Sequence, residues 1–232
     1  MKNSAYAAIT AVTLLILTTP LSAGTLVQFP LTNNGNPSYV DPIVGSYNFA
    51  ANPAIQYFEY GSEVTGYGEV LQVAAADGAT DPASAFSTNS YFFLTLTASP
   101  GNTLNLTQLS FDVAAGGPTA FTSGFFIRSD VDSFAADIYA EGLPTGAPPP
   151  PTQRTIDLSA LQFQNLASIT LRFYVYTPVP GNDSVDWRTL VVSGVVPEVD
   201  PPPTGEVPEP QTLGLMFAGL AALAGFRRFR KN

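Results

Sequence analysis

The chain has neither cysteine nor histidine among its 232 residues. The first absence excludes disulfides, thiolate metal sites and cysteine nucleophiles. The second excludes Ser-His-Asp catalysis, His-ligated zinc and a histidine general base. Basic residues are also scarce. Of nine, Lys2 lies in the N-terminal segment, and Arg227, Arg228, Arg230 and Lys231 lie at the C-terminus. Arg128, Arg154, Arg172 and Arg188 are left for everything between. All eighteen acids fall between Asp41 and Glu209, so the middle of the chain carries a net charge of −14. Such a body does not attract nucleic acid or an anionic membrane surface. Solubility outside the cell is its plainer consequence. Long helical stripes are missing too, as are a phosphate loop, a nucleotide fingerprint and a nucleophile elbow.

Hydrophobic residues make up 45% of the chain and aromatics 12%, enough for a core without disulfides. Glycine (19) and proline (21) are spread throughout, as in a protein of short strands and turns. The segment Ile169–Tyr176 alternates cleanly. Ile169, Leu171, Phe173 and Val175 share one face; Thr170, Arg172, Tyr174 and Tyr176 share the other. Tyr91–Ala98 alternates likewise. Leu104 and Leu106 are out of phase with Leu109, Phe111 and Val113, which predicts a turn or bulge near Thr107-Gln108. Phe121–Arg128, Thr155–Leu158 and Trp187–Ser193 are further strand candidates, with weaker ones at Thr25–Phe29, Ile55–Tyr60 and Glu69–Ala74. Leu158–Leu166 has room for one helical turn. Gly146–Thr152, with four consecutive prolines, reads as a stiff exposed loop. The fold class is all-β: an antiparallel β-sandwich, jelly-roll-like, over residues 24–194.

Two targeting segments flank this body. Residues 1–23 combine Lys2, the apolar run Ala5–Leu17 and a small-residue exit, Leu21-Ser22-Ala23-Gly24, the pattern of a helical signal peptide. Cleavage follows Ala23 or Gly24 on this reading; an uncleaved anchor helix is the alternative. Residues 195–206 form a proline-rich acidic linker. It contains Val196-Pro197-Glu198, an imperfect copy of Val207-Pro208-Glu209. Residues 207–232 form the tail: Val207, Pro208, Glu209 and Pro210, then an apolar stretch from Thr212 to Phe226, then Arg227, Arg228, Arg230 and Lys231 flanking it. The stretch has 15 residues, roughly 22 Å of helix at about 1.5 Å per residue, short of the ~30 Å hydrocarbon core. Snorkelling arginines extend it, and the positive-inside rule keeps the basic cluster cytoplasmic.

This order of parts resembles the PEP-CTERM sorting signal, which is processed by exosortases. Gln211 departs from the small residue usual there. The resemblance implies that Pro208, Glu209 and Pro210 are the recognition residues. It also implies two partners, the export machinery and an exosortase-like membrane enzyme. The chain would then be anchored transiently in the inner membrane before reaching the cell surface or matrix. The body is similar, loosely, to the β-rich ectodomains that often precede this signal. The segments concerned are Ser87–Leu96, Leu104–Asp112, Phe126–Phe134, Ile169–Tyr176 and Asp186–Gly194.

Three chemistries remain open for the body. Glu59, Glu63, Glu69 and Glu141 are the carboxylates from which a glycosidase pair would be drawn, although no spacing brings two together. Asp130 and Asp132, with Asp183 and Asp186, gather oxygen ligands suited to calcium. Neither group fits an EF-hand loop, and Asp also builds turns through its own backbone. Tyr91, Phe93, Tyr174 and Tyr176 lie on the more polar strand faces, and with Trp187 they are candidate platforms for sugar rings. No cofactor is expected beyond calcium. The leading expectation is a non-enzymatic surface or matrix protein that binds extracellular polysaccharide; the alternative is a secreted carbohydrate-active enzyme using two carboxylates. For the tail, replacing Glu209 or deleting residues 227–231 should change processing in an exosortase-bearing host. An unchanged mature mass and location would refute the assignment.

Overall fold

A computed structural model describes residues 22–32, 34–64, 68–116, 123–143, 151–179 and 183–196. The chain divides after Pro197, and everything described lies before that point. The expected tail helix, residues 1–21 of the expected signal helix, the linker beyond Val196 and residues 146–150 of the proline loop lie outside the described residues, whereas Ser22 and Ala23, the end of the expected signal segment, are strand. No helix among the described residues is long and apolar enough to cross a membrane.

The strands are β1 (Ser22–Phe29), β2 (Tyr39–Val40), β3 (Val44–Ala51), β4 (Tyr57–Val64), β5 (Gly68–Ala74), β6 (Tyr91–Ala98), β7 (Leu106–Gly116), β8 (Gly124–Ser129), β9 (Tyr139–Gly142), β10 (Thr152–Asp157), β11 (Ser168–Tyr176) and β12 (Ser184–Val196). One short helix, α1 (Pro82–Ser87), precedes β6. The strands form two antiparallel sheets. The first has the order β10-β7-β12-β1-β2, with β5 also pairing with β12 and β4 with β5. The second has the order β3-β6-β11-β8-β9. The architecture is the expected all-β sandwich.

The alternating segments form the centre of the second sheet. Strand β11 pairs with β6 from Ser168–Thr97 to Tyr174–Tyr91, and with β8 on its other side. The phase slip near Thr107 is a real irregularity: the β12–β7 register shifts between Ser193 and Gly194, opposite Gln108 and Leu106. That lets both Leu106 and Leu109 be fully buried.

Other expectations shift at their edges. Strand β12 continues through Val195 and Val196, which the composition placed in the linker, because β1 extends back to Ser22 to pair with them. Strand β4 starts at Tyr57, since the Asn52 side chain accepts the Ala54 N–H and turns the chain first. Thr152 opens β10 opposite Val113 and so leaves the proline loop. Between Leu158 and Leu166 only Leu161–Phe163 is a 3₁₀ turn. Strands β2, β3 and β9 and helix α1 had no sequence forecast. Strand β3 is an edge strand, exposed from Gly45 to Asn48. Helix α1 begins at Asp81, whose side chain accepts the Ser84 N–H while Ser84 Oγ accepts the Asp81 N–H; Pro82 sits where a missing N–H costs nothing.

Aromatic rings fill the space between the sheets. Phe92 and Phe173 stack with centroids 4.7 Å apart. Trp187 of β12 faces them, and its ring lies 5.2 Å from Phe92, 5.0 Å from Phe111 and 4.9 Å from Phe125. Its indole N–H is buried without an acceptor among the described residues. Packing therefore accounts for this residue's contribution, and its polar atom opposes burial. Trp187→Ala should cost about 3–5 kcal/mol, and Trp187→Phe clearly less, in urea unfolding. Equal costs would contradict this account of the core.

Candidate ligand-binding face

The outer face of the second sheet is built by the residues that alternate with the core positions of β6, β8 and β11. Across these strands they fall into rungs: Tyr91–Tyr174–Phe126, then Phe93–Arg172–Arg128, then Thr95–Thr170, then Thr97–Ser168. Ala50, Asn48 and Ser46 of β3 continue the last three rungs outward.

The aromatic end of this face is covered. Tyr174 stacks on Phe126 at 4.6 Å with parallel rings. Tyr91 lies 5.1 Å away, and Phe86 of α1 packs over Tyr174 at 5.6 Å. Tyr174 is consequently 1% exposed and Tyr91 9%. Trp187 is 0% exposed and points between the sheets. Of the five candidate platforms, Phe93 and Tyr176 keep some exposure, and both are half-buried. A flat strip of all five rings is therefore ruled out by packing: Tyr91, Tyr174 and Trp187 have been recruited as core or as cover.

What stays partly open lies in the next three rungs. Phe93, Arg172, Thr95, Thr170 and Thr97 are half-buried, and Ser168 is exposed. The hydroxyls of Thr95 and Thr170 are 3.1 Å apart. Thr97 Oγ1 donates to Ser168 Oγ at 3.4 Å. Arg172 is clamped between rings, with its guanidinium carbon 3.7 Å from the Phe134 centroid and 4.6 Å from that of Tyr91. Arg128, directly opposite Arg172, lies over Phe86 and Phe126. Its Nε meets Asp137 Oδ1 at 2.6 Å, which relieves the repulsion between two facing arginines.

Asp130 and Asp132 build the loop that delivers Phe134. Asp130 Oδ1 accepts the Thr170 N–H at 2.9 Å. Asp132 accepts the N–H groups of Ala135 and Ala136. Ser133 and Phe134 both have left-handed backbones, with φ of 62° and 61°, and this unusual pair folds the ring back over Arg172. These acids thus act as turn builders. No group of three or more acidic side chains suited to a metal occurs among the described residues.

Asp186 lies on β12 of the first sheet, and Asp183 just precedes that strand. Both are 2% exposed. Asp186 Oδ1 accepts the Ser184 hydroxyl at 2.6 Å, and Gln72 faces it in register on β5. A Cβ at Gly116 would collide with Ser184 Oγ and both Asp186 carboxylate oxygens, so a larger residue there would push these buried groups aside. Burial raises the Asp186 carboxyl to about 6, against the opposing hydrogen bonds of Ser184 and Gln72.

The four glutamates do not converge. Glu59 and Glu69 are exposed on β4 and β5 of the first sheet, and Glu63 has no described side chain. Glu141, on β9 of the second sheet, takes two hydrogen bonds from Arg154 of β10, each 2.6 Å. The Tyr139 hydroxyl adds a third at 2.7 Å. Arg154 is the first cause holding the Glu141 carboxyl below the usual range. This ion pair joins the edges of the two sheets.

Phe86, Phe134 and the clamping of Arg172 were not anticipated. Alternation in β11 placed Arg172 on this face, but the rings that hold it arrive from a helix and a loop with no periodic signature.

A model of the PEP-CTERM protein-sorting motif matches residues 206–231, and the chain carries that motif. No curated protein matches the chain. Among solved structures, the chain is similar to the K3 cleaved adhesin domain of Lys-gingipain from Porphyromonas gingivalis w83, at 12% identity and a TM-score of 0.44, covering 74% of this chain and 99% of that one. It is also similar to a family 29 carbohydrate-binding module, at 14% identity and a TM-score of 0.40, covering 74% and 89%. A carbohydrate-binding module described for specific mannan recognition is similar at 8% identity and a TM-score of 0.40, covering 75% and 99%.

Asp186 gives a pH test. Its folded pKa, about 6, lies above the ordinary carboxylate value of 3.8, so the folded protein holds this proton more tightly than the unfolded chain. The group's contribution to stability is full below about pH 4 and is lost as pH rises to 6, by about 3 kcal/mol at most. Asp186→Asn should remove that loss, raising stability at pH 7 relative to the parent but not at pH 4. Parallel urea titration curves at both pH values would contradict the burial of this carboxyl.

Proposed function

We propose that this is an exported, non-enzymatic β-sandwich protein of the cell surface or extracellular matrix that binds polysaccharide on the outer face of the second sheet. Residues 1–23 direct export, an exosortase processes the tail at Val207–Pro210, and residues 197–206 space the body from the membrane. The observation that carries the binding reading is the juxtaposition of half-buried Phe93 and Arg172 with the double hydroxyl row Thr95–Thr170 and Thr97–Ser168. A sugar ring has an apolar C–H face and a rim of hydroxyls. Phe93 suits the first, while arginine N–H groups and threonine hydroxyls suit the second.

The alternative, a carbohydrate-active enzyme, needs two reachable carboxylates. Glu141 is held by Arg154 and Asp186 is buried, which favours the binding role.

The test is a glycan array probed with the full chain in mild detergent, with and without calcium. Binding should appear without release of new reducing ends. Phe93→Ala should weaken it up to about tenfold. A folded protein that binds no glycan in either condition, or one that cleaves its ligand, would overturn the proposal.

A further inference from the structure

We infer that the polysaccharide bound on this face is acidic, and that Arg172 recognises its anionic group, a uronate carboxylate or a sulfate ester. The inference rests on the binding reading above and names the ligand class for the same face.

The four arginines of the described residues are differently committed. Arg128 is paired with Asp137 and Arg154 with Glu141. Arg188 stands in register with Asp112 on β7. Arg172 has the faces of Phe134 and Tyr91 and the Tyr174 hydroxyl at 3.4 Å. It forms no ion pair among the described residues. The nearby acids are engaged elsewhere: Asp130 with the Thr170 N–H, Asp132 with Ala135 and Ala136, and Asp137 with Arg128.

A guanidinium clamped between two rings loses hydration from its faces and keeps its N–H donors at the edge. Its orientation is fixed before any ligand arrives. Planar, fork-like donors match the oxygens of a carboxylate or sulfate. The neighbouring positions fit the rest of an acidic sugar. Phe93 shares the rung with Arg172, and Thr95 and Thr170 occupy the next. The body as a whole is acidic and repels a polyanion at a distance. Recognition is therefore a short-range contact, favoured at about 0.15 M salt, where the Debye length is about 8 Å.

The experiment titrates the full chain in mild detergent with oligogalacturonate and with its methyl ester, which keeps the backbone and removes the charge. Dextran sulfate and dextran form a second pair. Oligogalacturonate should bind at least tenfold more tightly than its ester. Arg172→Gln should abolish that preference, bringing the acid down to the affinity of the ester, with an unchanged circular dichroism spectrum and urea midpoint reporting that the variant is folded. Arg172→Lys, which keeps charge but loses the fork and the stacking, should fall between. A larger charge preference in the dextran pair would assign the anion to sulfate, and a larger one in the galacturonate pair would assign it to uronate. Equal affinity for the acid and neutral forms in both pairs, or a preference that survives in Arg172→Gln, overturns this inference alone. Absence of binding to all four removes it together with the proposed function.

Discussion

Strand β12 changes partners halfway along, and the first sheet is arranged around that change. On one side it pairs with β7 along most of its length. On the other, Val185–Trp187 pair with β5 and Leu190–Val196 pair with β1. Between them the register shifts from Arg188 to Val191, and Thr189 takes a φ of 42°, rare for a β-branched residue. Its N–H reaches Pro30 O instead of a ladder partner. The bend lets one strand join two pieces of sheet. It also sets the residue before it, Trp187, against Phe92, Phe111, Phe125 and Phe173. With no disulfide available, this ring cluster and the Arg154–Glu141 pair across the sheet edges connect the two layers.

The second sheet acquires its outer face from what the core leaves over. Each inward Phe or Leu of β6 and β11 fixes an outward neighbour. The outward rows run from rings at one end to hydroxyls at the other. Helix α1 and the loop after β8 close over the ring end, burying Tyr174 and clamping Arg172. An aromatic-rich strand face is therefore not in itself a platform, because here most of the rings pack on one another. The open part is where rings give way to threonine.

How much of this was legible depended on periodicity. The alternation of Tyr91–Ala98 and Ile169–Tyr176 gave both central strands of the second sheet and the side on which Arg172 lies. The slip at Thr107 was visible because leucines changed phase. Strand β3 was hidden because an edge strand exposed from Gly45 to Asn48 has little apolar pattern to read. Helix α1 was hidden because a six-residue helix is specified by its cap, Asp81-Pro82-x-Ser84, with too few turns for a stripe. Trp187 misled as a platform: alternation fixes the side of a strand but not which side is the interior. Phe134 could not be placed because its position depends on two consecutive left-handed residues. The tail was read most directly, since a sorting signal is a linear order of parts and needs no tertiary structure.

The tail and the body carry separable information, one about destination and the other about contact. The central claim concerns the body: its ligand meets the outer face of the second sheet. Hydrogen–deuterium exchange with and without oligogalacturonate locates that contact directly. Added protection should concentrate in residues 91–98, 124–137 and 168–176, with β4, β5 and the start of β12 unchanged. Protection confined to residues 57–74 and 183–187, around Asp186, would contradict the account.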